Sequence, residues 1–343
     1  MATPVARLSE PRVASAALPA EMRGWIKARR EELKSRYLRR PETLRTLSAH
    51  AAFVDQLLQR LWKEYVHDPA IALVGVGGYG RGALFPHSDV DVLVLLPDGH
   101  HPDAAIERFI GALWDCGLDP GHSVRTVTEC AEEAAKDVTV DTSMLEARLI
   151  AGAGGLVARL DERLRRQRDP RQFFEAKFKE QKRRHDRFQE VAYNLEPNIK
   201  ESPGGLRDLQ MVLWLARAAG LGQSWQELAE QGLITPREAA AIAMNERVLQ
   251  DLRIRLHYLA GRREDRLIFD HQIEIARQLK LKGKAGMAPS DLLMRRYYLA
   301  AKAIWRFNQM LLANLFDRLT PPSERKVQKL DGDFQVVNFS LDL

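Results

Sequence analysis

The feature that most constrains this chain is residues 75–96, GVGGYGRGALFPHSDVDVLVLL, where a glycine-rich loop lies between two apolar runs. The runs IALVGV (71–76) and VDVLVLL (90–96) are rich in β-branched residues and are bounded by turn residues. Short runs of this kind are typical of buried strands. The sequence therefore predicts two strands joined by one loop, and the residues of that loop decide what the pair can do.

Two carboxylates, Asp89 and Asp91, stand two positions apart at the start of the second predicted strand. They project from the same face of the sheet, while the intervening Val90 points into the core. Carboxylates this close repel each other unless a cation lies between them. Mg²⁺ or Mn²⁺, held jointly by carboxylates and nucleotide phosphates, suits such a pair. We therefore predict Asp89 and Asp91 to be both metal ligands and catalytic residues.

Gly77 and Gly78 precede the acidic pair, where side chains would block a triphosphate from the backbone N–H groups. Either feature is common alone. Together, with ten residues between Gly78 and Asp89, they match the nucleotidyltransferase pattern of a hydrophobic residue and Gly-Gly/Ser, a spacer, and Asp-hydrophobic-Asp/Glu.

The same loop also spells the G-x-G-x-x-G dinucleotide fingerprint through Gly75, Gly77 and Gly80. That fingerprint requires a helix of about three turns that begins at the third glycine. Pro86 follows too soon for such a helix, which excludes NAD binding. A P-loop is excluded because G-x-x-x-x-G-K-S/T does not occur.

Composition sets the broad class of the protein. At 343 residues and 45% hydrophobic content the chain is long enough for two domains with their own cores. No apolar run approaches the roughly 18 residues of a membrane span, and the N-terminus lacks the apolar region of a secretory signal. Two cysteines are too few for a disulfide framework, and a cytoplasmic location is predicted.

The net charge of +6 is concentrated in residues 159–187, which hold twelve Lys and Arg against six Asp and Glu. This basic segment could meet a triphosphate, an RNA or an acidic protein surface. A solvated helix face with charge pairs four residues apart explains the same pattern equally well.

Hydrophobic periodicity predicts a small α/β domain followed by a helical domain. The stripe that begins at Leu44 predicts a helix packed on the sheet, Gly117 ends a further helix, and residues 121–128 form a third strand. Residues 142–152 are predicted helical, as are later segments at 171–192, after Pro203, and at 223–231, 236–261 and 290–318. The predicted organisation is a disordered 1–20, a helical segment 21–66, a catalytic domain 67–160, a helical domain 161–325, and the start of a linker at 326–343.

Four stretches resemble the bacterial PII uridylyltransferase/uridylyl-removing enzymes of the nucleotidyltransferase superfamily: residues 77–96, residues 121–126 with 145–152, residues 194–210, and residues 263–276. The resemblance implies a fold of the α/β plus all-α class, with a polymerase-β-like mixed sheet, flanking helices and a helical bundle. It also implies Mg²⁺-dependent transfer of UMP from UTP to a tyrosine hydroxyl of the PII signalling protein, with release of pyrophosphate. Neither RNA nor a membrane is expected as a partner.

Members of this family also carry a metal-dependent HD domain that removes the UMP and two ACT domains that sense glutamine. The sequence runs to Leu343, where the next domain would begin, so neither activity is expected from these residues. Its two His-Asp pairs, His67-Asp68 and His185-Asp186, lack the companion ligands of an HD site and are predicted to be structural.

The superfamily usually supplies a third carboxylate from a neighbouring strand. No hydrophobic-acid-hydrophobic triplet occurs at the expected place, and Asp119, just before the third predicted strand, is the first candidate. Glu146 is the second, although its surroundings, LEARLIAG, look helical.

The predicted nucleotide contacts come from two parts of the chain. In the loop, Ser88 with the backbone of Gly77 and Gly78 would hold the triphosphate and Arg81 would neutralise the leaving group, although Arg81 could equally be an exposed cation. In SPGGLRDLQ (202–210), a helix start at Gly204 and Gly205 would favour an anion. The predicted contacts around it are Lys200, Gly205, Arg207 and Asp208. The alternative is that Ser202 and Pro203 only cap this helix while Arg207 and Asp208 form surface pairs.

Two other functions remain open from the sequence. A relative of the RNA polymerising or CCA-adding enzymes would use the basic segment to follow an RNA backbone. A non-catalytic module would bind nucleotide or PII without turnover.

Overall fold

The computed structural model describes residues 17–189, 195–284 and 286–320, and the backbone of two strands between residues 326 and 338. Its first region contains α1 (Ala17–Arg39), α2 (Thr43–Tyr65), β1 (Ala72–Gly75), α3 (Gly77–Gly80), β2 (Val90–Leu96), α4 (Ala104–Asp115), β3 (Pro120–Thr126), α5 (Val127–Lys136), α6 (Val138–Leu145), β4 (Arg148–Gly152) and α7 (Gly154–Gln167). The second contains α8 (Pro170–Gln189), α9 (Leu206–Ala218), α10 (Trp225–Glu230), α11 (Pro236–Ala260), α12 (Phe269–Gln278) and α13 (Pro289–Leu319), followed by β5 (Lys326–Asp331) and β6 (Phe334–Asn338).

The sheet has the order β3-β2-β1-β4 and is mixed, as predicted. β1 is antiparallel to β2 and β4, whereas β2 and β3 are parallel. Val90 and Val92 belong to a core formed with α1, α2 and α4, and Leu93 and Leu95 to a core formed with α5, α6 and α7. Helices therefore cover both faces of the sheet, and β2 runs through its centre.

The apolar stripe of α2 is buried except at its beginning. Leu47, Leu58 and Leu61 are almost inaccessible, but Leu44 is 53% exposed. Leu44 lies in the first turn of α2. The amphipathic pattern therefore identifies the helix correctly but places its first buried residue one turn early.

The helix predicted for residues 142–152 is wrong in its second half. α6 ends at Leu145, and β4 begins at Arg148 and pairs antiparallel with β1. The sequence LEARLIAG favours a helix locally, but pairing with a buried central strand overrides that weak preference. At the N-terminus α1 begins at Ala17, inside the segment predicted to be disordered, and residues 1–16 lie outside the described residues. The segment predicted as a linker contains the β5–β6 pair.

The helical region has its own core, to which α9, α11 and α13 contribute most of the buried side chains. Trp214 of α9 and Leu145 of α6 belong to the same core, so the helical region packs directly against the sheet region. In the described part of the chain, no helix is both long and apolar enough to cross a membrane.

Candidate active site

A cavity of about 660 Å³ lies between the start of β2 and the helical region. Eight of the residues predicted from the sequence to bind nucleotide or metal line it: Gly77, Gly78, Arg81, Ser88, Asp89, Asp91, Lys200 and Arg207. These residues come from two parts of the chain, 77–91 and 200–207, that are more than a hundred positions apart. The structure therefore brings together most of the predicted site.

Asp89 and Asp91 are half-buried at the cavity wall. Burial, and then the neighbouring charge of Asp89, raises the pKa of Asp91, while Lys200 and Arg263 act in the opposite direction. The guanidinium of Arg263 donates to an Asp89 carboxylate oxygen. The two carboxylates lie close together and attract positive charge. In this structure Arg263, from the helical region, provides one such charge to Asp89.

The strand beside Asp91 carries a glycine rather than a third acid. Gly121 of β3 pairs with Asp91, and a Cβ at this position would lie 2.3 Å from the Asp91 Oδ1 atom. Asp119, the first candidate for the third carboxylate, is exposed just before β3 and does not line the cavity. Among the described residues no group of three or more His, Cys, Asp or Glu side chains is placed to hold a metal ion.

The glycine-rich loop is anchored by hydrogen bonds on the side away from the cavity. The hydroxyl of Tyr79 donates to Asp55, and Arg148 of β4 donates to the same carboxylate at 2.8 Å. Gly77 has a φ of +55°, which disfavours a side chain there, and a Cβ at this position would lie 3.4 Å from the Asp91 Oδ2 atom. The loop therefore presents its backbone at a fixed distance from the acidic pair.

Glu146, the second candidate for the third acid, lines the same cavity but is already paired there. It is buried, its Oε1 accepts from Arg81 Nη1 at 2.7 Å, and the indole N–H of Trp214 donates to the same oxygen at 2.7 Å. Glu146 therefore holds Arg81 at the cavity wall. Arg81 is not the unpaired surface cation that the sequence left as an alternative, because Glu146 holds its guanidinium and its side chain is 28% exposed.

The predicted contacts of Gly205 and Asp208 with nucleotide need correction, because neither residue lines the cavity. Gly205 N–H donates to the Ser202 carbonyl at 2.8 Å, and the next two amides of the helix start donate to the carbonyls of residues 199 and 200. No amide of this turn is left for an anion. Gly204 has a φ of +75°, and a Cβ there would lie 2.1 Å from the Ala301 carbonyl oxygen, so this glycine serves close packing.

Asp208 is a fully buried anchor rather than a surface residue. It accepts from the Arg184 guanidinium and from the Gly204 N–H, and lies 2.9 Å from His185 Nε2. The network orients Arg184, which does line the cavity. His185 thus has a structural partner, as predicted, and its chain neighbour Asp186 is exposed.

The helical wall of the cavity is strongly basic. Nine Lys and Arg and five Asp and Glu line the whole cavity, a formal excess of four positive charges. Four of the cations belong to the basic segment: Lys177, Arg183, Arg184 and Arg187 of α8. Others in that segment pair along their own helices, as Arg166 does with Glu162. Some cations of the basic segment therefore line the cavity, while others form ion pairs on the solvent-exposed surface of their helices.

Sequence reasoning missed several lining residues, of which Arg253 and Arg263 matter most. Arg253 is buried in α11, donates to Asp265 at 2.6 Å, and has its pKa lowered chiefly by burial. Arg263 lies in the stretch REDRLIFDHQ, to which no chemistry was assigned. The family resemblance of that stretch was the only signal that pointed to Arg263. The charge pattern of a sequence does not distinguish an arginine that lines a binding site from one that holds helices together.

Comparisons with known proteins agree with this arrangement. Residues 41–139 match a family described as nucleotidyltransferase domain, and residues 172–312 match one described as GlnD PII-uridylyltransferase. Bifunctional uridylyltransferase/uridylyl-removing enzymes are similar to this chain. The relative from Nitrosospira multiformis is 49% identical over 314 residues, and that from Burkholderia thailandensis 51% over 298. The two alignments cover 89% and 86% of this chain but 35% of each relative. The chain thus spans about a third of the length of these relatives.

Proposed function

We propose that this chain transfers UMP from UTP to a tyrosine hydroxyl of a PII protein, because its residues match the nucleotidyltransferase domain and the family described as GlnD PII-uridylyltransferase, and because it is similar to uridylyltransferases. Pyrophosphate is the second product and Mg²⁺ the cofactor. The observation that carries the proposal is the position of Asp89 and Asp91, which open onto a cavity with four excess positive charges. In a metal–nucleotide complex the metal ion would complement the two carboxylates, and the phosphates would complement the excess positive charge of the cavity.

The donor set fits Mg²⁺. Asp89 and Asp91 offer carboxylate oxygens, which this ion prefers, and a pair of this kind is one commonly used to hold it together with phosphates. The raised pKa of Asp91 reflects burial next to a like charge, and a bound cation relieves that cost. When bound, the ion would neutralise phosphate charge and polarise the phosphorus under attack.

The remaining residues would hold and neutralise the triphosphate. Lys200 and Arg207 line the cavity from the helical side, and Arg81 is fixed by Glu146. Burial, and then the charges of Arg207 and Arg253, lower the pKa of Lys200, although Glu201, 3.5 Å away, acts in the opposite direction. Binding of phosphates would offset the repulsion between these cations and raise the pKa of Lys200. Transfer of a nucleotidyl group depends mostly on such positioning and charge neutralisation.

The test uses the purified chain with Mg²⁺, each of the four nucleoside triphosphates in turn, and PII present or absent. Pyrophosphate release and the mass of PII are measured. We expect PII to gain the mass of one UMP only with UTP. Release of pyrophosphate with RNA as acceptor would favour an RNA-acting enzyme, and nucleotide binding without release would favour a non-catalytic module.

Asp89→Asn and Asp91→Asn keep the size of each side chain and remove the charge. Each is expected to lower turnover by about 10²-fold or more, because one preorganised charge at the reacting group is removed. Asp115→Asn, at the exposed end of α4, is the matched control and should retain activity. Full activity of either cavity variant would contradict the assignment.

A further inference from the structure

A second cavity, of about 360 Å³, lies behind the loop that carries Ser88 and Asp89. One wall is α1, and the others are residues 86–87 and the C-terminal ends of α4 and α11. It shares no lining residue with the active-site cavity. The chain segment 83–89 separates the two, with Phe85 and Ser88 on one side and Pro86 and His87 on the other.

Four cations of α1 line this second cavity: Arg23, Lys27, Arg30 and Lys34. Their spacing of four, three and four residues places them on one helix face, where like charges repel. The single acid in the lining is Glu31. Like charges at these spacings cost stability, and a bound anion would relieve that cost.

Within the described residues none of these four cations has an ion pair or a hydrogen bond, although α1 pairs other arginines. Arg29, next to Arg30, donates to Glu32 at 2.6 Å. Arg30 is half-buried, and burial lowers its pKa. A half-buried guanidinium that has no counterion within the described part of the chain is costly. The outer cations, Arg23 and Lys27, are exposed, so the row leads from solvent into the cavity.

We propose that this second cavity binds a small anion that carries a phosphate group. Its concave shape and its volume suit a phosphate ester rather than an extended polymer. Arginine matches phosphate oxygens with two parallel hydrogen bonds, and the lysines add point charges. The uncharged floor is set by His50, which is 2% exposed and lies 2.8 Å from the Tyr258 hydroxyl.

A ligand in the second cavity contacts the loop of the first. The His87 N–H donates to His257 Nδ1 at 3.3 Å, and the opposite ring nitrogen of His257 lies 3.4 Å from Asp265. Asp265 in turn holds Arg253, which lines the active-site cavity. Occupancy of the second site therefore bears on the position of Ser88 and Asp89 through their own chain segment.

The test is protection of individual lysines from acetylation, read by peptide mass spectrometry on the unmodified chain. Inorganic phosphate is the first probe, with ionic strength matched by chloride. A nucleoside monophosphate and a sugar phosphate are the second and third, to separate free phosphate from its esters. We expect protection of Lys34 by at least one probe, and a smaller effect on the more exposed Lys27. Equal Lys34 acetylation in all three probes and in chloride would overturn the proposal.

Arg30→Gln should weaken this protection by about tenfold, the effect of losing one charge-assisted contact of about 1.4 kcal/mol. Arg29→Gln, which removes a neighbouring charge from the same helix but outside the cavity, is the control and should leave Lys34 protection unchanged. Equal effects of the two variants would mean general screening by the helix and would also overturn the proposal. Lysine protection is measured without UTP or PII, so the result is independent of the proposed transferase activity.

Discussion

Gly121→Ala tests whether the conformation of Asp91, rather than its mere presence, determines activity. Gly121 is exposed on β3, and its φ is not in the left-handed region, so the backbone accepts alanine. The added Cβ would lie 2.3 Å from Asp91 Oδ1 and 3.4 Å from Asp91 Cγ. These separations are below contact distance for the oxygen alone, so the carboxylate must rotate while the strand stays in place.

The cost of that rotation falls on function and not on stability. An off-rotamer side chain costs about 0.5–1.5 kcal/mol. Alanine in place of glycine in a strand returns about 0.5–1 kcal/mol through a less flexible unfolded chain. The net free energy of unfolding should therefore change little. A displacement of about 1 Å in a reacting constellation, however, costs about 10²-fold in rate.

The assay is pyrophosphate release with UTP, Mg²⁺ and PII, measured beside urea unfolding of the same preparation. Gly155→Ala is the matched control, because a Cβ at that position meets nothing within 4 Å. We expect Gly121→Ala to unfold like the unsubstituted chain but to turn over about 10²-fold more slowly. Unchanged turnover would show that Asp91 tolerates a different rotamer and would refute the reasoning.

Three further predictions concern residues around the two cavities. Asp208→Asn should destabilise the chain by about 3 kcal/mol in urea unfolding, because it removes the carboxylate that the largely buried Arg184 contacts most closely, and no loss would contradict the anchoring role. Asp119→Asn should change pyrophosphate release less than about twofold, against roughly 10² for a metal ligand, and a larger loss would restore it as the third acid. Burial, and then the charges of Arg30, His87 and His257, lower the pKa of His50 to about 3 in the folded chain. In the unfolded chain this imidazole has the ordinary pKa of about 6.5. Stability should therefore fall as pH drops from 6.5 towards 3, by at most about 1.4 kcal/mol per unit, and urea midpoints of His50→Gln should show a flatter profile.

The sequence predicts the parts of the site that are local in the chain. The strand, loop and Asp-x-Asp unit of residues 71–96 follows from apolar runs and turn residues that lie next to each other, and the structure has it as predicted. β4 was missed because its residues favour a helix and only the partner strand β1 makes them extended. Gly205 and Asp208 were assigned to nucleotide because a glycine-rich helix start looks the same whether its amides bind an anion or the preceding carbonyls.

What the sequence could not provide is the pairing of charges across the fold. Asp89 accepts a hydrogen bond from Arg263, which lies 174 positions away in the chain. Only tertiary packing brings these two residues into contact. The sheet region by itself presents two crowded carboxylates, and the helical region by itself presents a wall of excess cations. Each region therefore compensates the charge of the other. The two family matches, residues 41–139 and 172–312, meet at this cavity, so the helical region is a structural half of the candidate active site and not an appendage to it.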